Sequence, residues 1–472
     1  MSLNDSAMAR HCICITALAL LGAAVSEANA QQAAWRVEDA AGAPDWLTLR
    51  GETRVRYETL DGQFRAGGAG GDQALAFRTL LLAEADAGPV AFGLEFQDAR
   101  VLLDDSGTPL TTSIVNPFDL LQAYARIDAD GWFGQPDATL IVGRQTLNIG
   151  SRRVLERVDM ANVIFSYSGV YWRSENAHGD ELHLLHVSPV GRLPNDRTAL
   201  GEDELSGDEE EWGRRFWGAH FRRRDAFGAA LPRVWAEAFI YGLDERDEAA
   251  VPTPDRHYLQ PGARLYRAPE TSSWDFDIEG SYRSGSRRET AAASDVSDLD
   301  VSAWTLHAGL GYTFDHPWRV RVGLDYDYAS GDEDPNDGSY DQYERLFGSR
   351  RTDLGNTGIH GPLTPANIEA PGARIEIAPS TRLDARLAYK AAYLASETDA
   401  WVVARVRDPA GASGRFIGHS LDGRLRYWLL PQSLLFEVGA SALIAGGFAE
   451  TAPNASRQGD TSFGYMQLTQ SF

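Results

Sequence analysis

Arginine is the side chain through which this sequence could do chemistry. Of its 44 basic residues, all but Lys390 are arginine. A guanidinium stays charged and offers a planar fork that matches a carboxylate. Many of these arginines sit beside apolar residues in short alternating runs. Arg54 and Arg56 flank Val55, with Arg50 just before them, and Arg126 lies between Ala125 and Ile127. Arg319 and Arg321 flank Val320, Arg382 and Arg386 bracket Leu383 and Ala385, and Arg424 and Arg426 flank Leu425. Arg144 closes the run Leu140-Ile-Val-Gly143. Set round a wet lumen, such a ladder would lower the barrier to an anion or a polyuronate. Arginine-rich codon usage would account for the bulk count but not for this placement. Asp275, Asp277, Asp325 and Asp327 fall on the same kind of face. They read either as one pole of a transverse field or as cross-strand partners of the arginines.

Other chemistry finds little support. Asp332-Glu-Asp-Pro-Asn-Asp-Gly338 puts glycine seventh where an EF-hand needs it sixth, so a loosely bound Ca²⁺ in an acidic loop is the most it allows. His178-Gly-Asp-Glu-Leu-His183 matches no zinc-peptidase spacing, and His183 and His186 have opposite strand parity. There is no G-x-S-x-G, P-loop or dinucleotide fingerprint. No cofactor, resident metal or catalytic residue is therefore expected.

The elements that would position the arginines repeat with period two. Leu47, Leu49, Val55 and Tyr57 oppose Thr48, Arg50, Glu52, Arg54, Arg56 and Glu58. Val90, Phe92, Leu94 and Phe96 alternate with Ala91, Gly93, Glu95 and Gln97, and Leu121, Ala123, Ala125 and Ile127 with Gln122, Tyr124, Arg126 and Asp128. Similar rows start near Trp274, Trp304, Val320, Leu383, Leu425 and Phe436. They run to about ten residues, where soluble strands average about five or six. Charge is dense on the face opposite the apolar row, and Trp or Tyr often ends a row, as an interfacial belt requires. Asp315-His-Pro317 and Leu430–Ser433 make tight turns, whereas Arg192–Glu211, Asp244–Pro261, Ser284–Asp300 and Ser330–Pro371 make long acidic loops. The pattern predicts one all-β, antiparallel transmembrane barrel of about 18 strands (roughly 16–20), with short periplasmic turns and long extracellular loops. An amphipathic β-sandwich is the soluble alternative.

The ends fit. Residues 11–25 form an apolar run after Arg10, and Ala28-Asn-Ala30 is a small-x-small cleavage pattern. Residues 1–30 read as a signal peptide, 31–45 as a spacer and 46–472 as the barrel. Cys12 and Cys14 would leave with the leader, so the mature chain would hold no disulfide or thiolate metal site. A net charge of −23 excludes a general nucleic-acid binder. At the other end, Met466, Leu468 and the final Phe472 share one face against Gln467, Thr469 and Ser471. Phe472 is expected to serve as the signal read by the barrel assembly machinery, its strand pairing with the one opening near Trp46.

Gly143-Arg144-Gln-Thr-Leu-Asn-Ile-Gly-Ser-Arg-Arg153 and the following Arg157–Arg173 resemble the alginate export family of outer-membrane proteins. Ser396–Val402, Gly414–Leu429 and Ser433–Phe448 are similar to that family's closing strands. The resemblance runs from about Trp46 to Phe472 and weakens over Arg192–Arg267. It implies a monomeric 18-stranded barrel with an arginine-rich, anion-selective constriction that exports a polyuronate. By motif it carries Arg144, and less firmly Arg54, to lumen positions. The expected function is passive passage of an anionic polysaccharide or small anionic solutes, without catalysis, in contact with outer-membrane lipid and lipopolysaccharide. A general porin for small metabolites is the alternative, and a barrel enzyme acting on lipid or envelope polymer a third.

Overall fold

The computed structural model describes residues 36–248, 251–355 and 361–472. The expected leader and the start of the spacer lie outside the described residues. The strands in chain order are β1 (Leu47–Asp61), β2 (Asp72–Asp86), β3 (Val90–Leu102), β4 (Asn116–Asp128), β5 (Asp137–Gln145), β6 (Tyr167–Glu175), β7 (Glu181–Gly191), β8 (Glu209–Glu210), β9 (Arg214–Arg223) and β10 (Trp235–Glu245). They continue as β11 (His257–Arg267), β12 (Ser273–Arg288), β13 (Asp298–Thr313), β14 (Arg321–Ala329), β15 (Ser339–Tyr340), β16 (Ile368–Ile377), β17 (Leu383–Tyr393), β18 (Phe416–Leu430), β19 (Leu434–Ala445) and β20 (Thr461–Ser471). The two-residue β8 and β15 belong to loops. The other strands pair antiparallel with their neighbours round a closed 18-strand barrel. Among the described residues no helix is long and apolar enough to cross a membrane.

Side-chain alternation follows from the pleat. In β1, Arg54, Arg56 and Glu58 are buried inside while Val55 points out and is 37% exposed. Phe92, Leu94 and Phe96 of β3, Val322 and Leu324 of β14, and Met466 and Leu468 of β20 are exposed in the same outward band. One expected row departs from this. Alternation puts Leu121 beside Ala123 on the apolar outer face, but Leu121 is buried. The β3–β4 register shifts between Glu95 and Phe96, which pair with Gln122 and Leu120. The extra residue of this bulge turns Leu121 inward, where it packs with Leu80 and Ile164. Two loops are also shorter than expected: β10 runs on to Glu245 with β11 starting at His257, and β12 runs to Arg288 with β13 starting at Asp298.

Connections alternate between a short-turn end and a long-loop end. The tight turns after β13 and β18 lie at the former, as do both ends of the barrel chain. Trp46, Trp274 and Trp318 are exposed at that end, where an interfacial belt sits.

Closure joins β1 to β20, with Val55 opposite Leu468. Gly51 and Phe472 extend the pairing: the Gly51 N–H donates to the Phe472 carbonyl at 2.7 Å, and the Phe472 N–H donates back at 2.9 Å. The Phe472 ring occupies the space a side chain at Gly51 would need, since a Cβ there would lie 2.1 Å from it. Aromatic cover of a strand glycine restores the packing that the glycine forgoes. Gly51→Val should therefore destabilise the closed barrel by about 1–3 kcal/mol, the usual cost of overpacking, read as a lower urea midpoint for the heat-modifiable folded form in detergent. Deleting Phe472 should reduce outer-membrane insertion in cells; unchanged insertion would remove the assembly-signal role while leaving the barrel intact.

Candidate functional site

The lumen is not an open ladder of arginines. The loop 146–166, between β5 and β6, folds inward, and wall arginines hold it by its backbone. Arg54 donates to the carbonyls of Asp159 at 2.8 Å and Ala161 at 2.7 Å. Arg78 donates to the same two oxygens at 2.8 and 2.9 Å. Arg56 donates to Met160 O at 2.6 Å and pairs with Glu58 at 2.7 Å. The Asn162 amide caps the carbonyls of Phe77, Arg100 and Ile114. These contacts satisfy loop backbone that would otherwise be buried without partners.

Arg144 fixes a second loop. Its guanidinium donates to Leu120 O at 2.8 Å, Asp208 O at 3.2 Å and Glu210 Oε1 at 2.7 Å. The preceding Gly143 has φ +123°, and a Cβ there would lie 2.3 Å from Ala123 O, which explains glycine before this arginine. The Gly-Arg-Gln motif thus ties the stretch 192–213 to the wall. Asp208 accepts from the Leu193 N–H at 2.8 Å and the Asn116 amide at 2.8 Å, and its own N–H donates to Asp119 at 3.1 Å.

A third inward segment, 343–355, meets the first. Leu155 and Phe347 form a parallel bridge, the Glu156 N–H donates to Phe347 O at 3.0 Å, and the Ser349 N–H donates to Arg152 O at 2.9 Å. Phe347 lies edge-on to Tyr167 and Phe216 in the main apolar cluster. From the first loop, Arg153 reaches the far wall at Asp277 and Glu279, each at 3.1 Å, and Asp353 at 2.8 Å.

Two larger cavities border this plug. One, of about 240 Å³, lies toward the long-loop end; Arg56, Arg65, Arg345 and Arg350 line it with Met160, Asn162 and Phe165. No acidic residue is among its lining. Burial, with Arg345 and Arg65 nearby, pushes the Arg350 guanidinium down to about 9, and burial lowers Arg345 as well. The other, of about 300 Å³, lies at the short-turn end and gathers the sequence candidates Arg319, Arg321, Arg386, Arg424 and Arg426. Acids accompany these. Arg321 is bidentate on Asp275 and pairs with Glu376 at 2.6 Å. Arg424 and Arg426 share Asp384, and Arg386 lies 3.4 Å from Asp422.

The remaining candidates are dispersed. Arg126 pairs with Glu84 at 2.6 Å, Arg50 is exposed, and Arg382 is not among the lining of either larger cavity. The lumen acids are matched: Asp277 by Arg264 at 2.7 Å, Asp325 by Arg374 and Lys390, and Asp327 by Lys390 at 2.6 Å. His183 points inward and His186 outward. Among the described residues, the set whose ligand atoms lie within 4.8 Å is His307, Asp327 and Asp353, which Arg153 and Lys390 already contact. The Asp332–Gly338 stretch contributes none of that set. Sequence reasoning missed Arg65, Arg78, Arg153, Arg345 and Arg350. Of these, Arg153 alone sat in a quoted motif.

Burial, then the neighbouring Asp119, raises Asp208 to about 7. Its folded value exceeds its unfolded one, so the folded state binds the extra proton, and stability is lost as pH rises through the interval. The loop 192–213 should resist limited proteolysis better at pH 5 than at pH 8, and Asp208→Asn should flatten that difference.

Comparison with known proteins places this architecture. Solved outer-membrane proteins of Pseudomonas aeruginosa share the fold. OccK9 (OpdG) matches with TM-score 0.57 and 16% identity over 90% of this chain and 98% of its own. OccD3 (OpdP) matches with TM-score 0.56 and 16% identity over 91% of each chain. OprD matches with TM-score 0.53 and 14% identity over 90% of this chain and 93% of its own. Among curated proteins none matches. The alginate export family model matches residues 45–462. With this match and a closed barrel of the porin type, the protein is an outer-membrane channel, and the chain belongs to the alginate export family.

Proposed function

We propose that the barrel carries an anionic polysaccharide, of the alginate-like polyuronate kind, or small anionic solutes, across the outer membrane by passive passage and without a catalytic step. The observation that carries this reading is the cavity lined by Arg56, Arg65, Arg345 and Arg350 with no acid among its lining. Arg65 and Arg345 act against the charge of Arg350, while Arg56 is paired with Glu58, and a carboxylate entering the cavity relieves that repulsion while regaining hydrogen bonds lost with its hydration shell. The short-turn chamber, where arginines outnumber acids, would collect the same ligands at lower field. Binding must stay weak enough for release.

In this reading the short turns face the periplasm and the long loops the exterior. The barrel acts as a monomer seated among lipopolysaccharide, after the assembly machinery has read its last strand. A general porin for small metabolites is the second reading. It is favoured by the narrowness of the space between the chambers, where the cavities measure only about 30 and 10 Å³.

Planar-bilayer recording separates the two. Wild type should show anion preference at low salt and current block by oligouronates. Replacing Arg345 and Arg350 together by serine should cut the anion-to-cation permeability ratio several-fold, most clearly at about 0.1 M salt, where screening extends only about 10 Å. Cation preference with no oligouronate block would sink the polyuronate reading and leave the small-metabolite porin.

A further inference from the structure

The string of cavities between the two basic chambers runs along one short stretch of chain. The long-loop chamber shares Ser349 and Arg350 with the cavity next to it. That cavity shares Asp353 and Leu354 with the one below, which in turn shares Arg386 with the short-turn chamber. The string of cavities therefore follows the segment Ser349–Leu354, which carries the helical turn Arg351–Leu354. Leu354 is buried and lines both narrow cavities.

This segment is held differently from the chain just before it. Phe347 is packed among aromatics and paired to Leu155 by backbone, so residues up to Gly348 are fastened by apolar contact. Beyond Gly348 the Ser349 N–H still bonds Arg152 O and Leu354 packs in the main apolar cluster, and between them the tether is a charge, the Asp353 carboxylate. Arg153 grips it with both arms, Nε to Oδ2 at 2.8 Å and Nη2 to Oδ1 at 3.1 Å, and His307 Nδ1 lies 3.6 Å away. Glycines bound the segment. Gly348 sits against the Arg153 carbonyl with no room for a Cβ, and Gly355 has φ +93°. Glycine at both ends gives the stretch pivots that other residues would resist.

Arg153 does not depend on Asp353 alone, because Asp277 and Glu279 on β12 hold it at the same time. Losing Asp353 would leave the loop 146–166 anchored to the far wall and remove the charged tether of the helical turn, with Leu354 as its remaining apolar contact. A buried carboxylate held by one bidentate arginine is a two-state contact: made, it fixes the turn; broken, it needs water, which the adjoining chambers supply.

We propose that the segment Ser349–Leu354 is a gate between the two chambers and that the Arg153–Asp353 ion pair is its latch. The device does not rest on which solute passes.

The test uses the full-length barrel reconstituted in planar bilayers with potassium chloride alone, so no substrate is needed. Asp353→Ala should raise single-channel conductance several-fold or replace a mostly closed trace with a mostly open one. Asp353→Glu, which keeps the carboxylate, should stay near wild type. A second readout guards against a folding artefact. Leu354→Cys should react slowly with a membrane-impermeant thiol reagent in the wild-type background and rapidly when combined with Asp353→Ala, both proteins being heat-modifiable on gels. If Asp353→Ala gives a folded barrel with unchanged conductance, and adding it to Leu354→Cys leaves thiol labelling unchanged, the latch is wrong, whatever the bilayer selectivity says about anions.

Discussion

Everything in this molecule depends on satisfying backbone hydrogen bonds where there is no water. In hydrocarbon an unpaired strand edge costs several kcal/mol per group, so the sheet must close on itself. Closure dictates the pairing of β1 with β20, which demands that the chain's last residues be a strand ending against Gly51. It also fixes parity: with the outer face given to lipid, every polar or charged residue at alternate positions has to point inward. The crowded charge of the lumen is thus a by-product of geometry before it is a functional device. The same accounting reappears inside. A loop folded into the lumen brings its own unpaired carbonyls, and Arg54, Arg78 and Arg56 answer them.

This explains what was legible in the sequence. Period two over runs of about ten residues has one comfortable home, a strand between lipid and water, so the barrel, its approximate size and its closing strand could be read from the sequence. The misread Leu121 marks the limit of parity reasoning, since one bulge reverses the facing of the residues beside it and leaves no trace in hydrophobicity. The site was less legible, for a related reason. Parity says that Arg54 points inward, but not that the chain folds back 105 residues later to cover it. Contacts of that range are decided by how loops pack in the lumen, and loops carry no periodicity.

The Gly143-Arg144-Gln145 motif illustrates the difference between a correct position and a correct role. Arg144 does face inward. Its fork, however, is filled by Glu210 and by the carbonyls of Leu120 and Asp208. Glycine before it is required by φ and by the closeness of Ala123 O. The motif is a fastening for a loop, and any part it plays in permeation comes through what that loop encloses. Arg153, in the same sequence stretch, does comparable work across the whole lumen.

Lumen arginines therefore divide by their company. Where an acid stands within an ion-pair distance, as at Arg321 with Asp275 or Arg426 with Asp384, the pair is internally neutral and offers a passing anion little beyond a dipole. Arg345 and Arg350 line one cavity with no acid in its lining, and there burial and the neighbouring guanidinium groups act against the charge of Arg350. The paired lumen acids Asp277, Asp325 and Asp327 are set on β12 and β14, and Asp327 lines the narrow cavity that Arg350 also borders. The inward loops 146–166 and 343–355 place Arg345 and Arg350 in the basic chamber and bring Arg153 and Asp353 against the acidic wall. The arrangement of charge inside the barrel is then set by the same inward loops that narrow it. The charge presented to a solute and the restriction of the lumen are two consequences of one packing arrangement, and a change that loosened the plug would alter both.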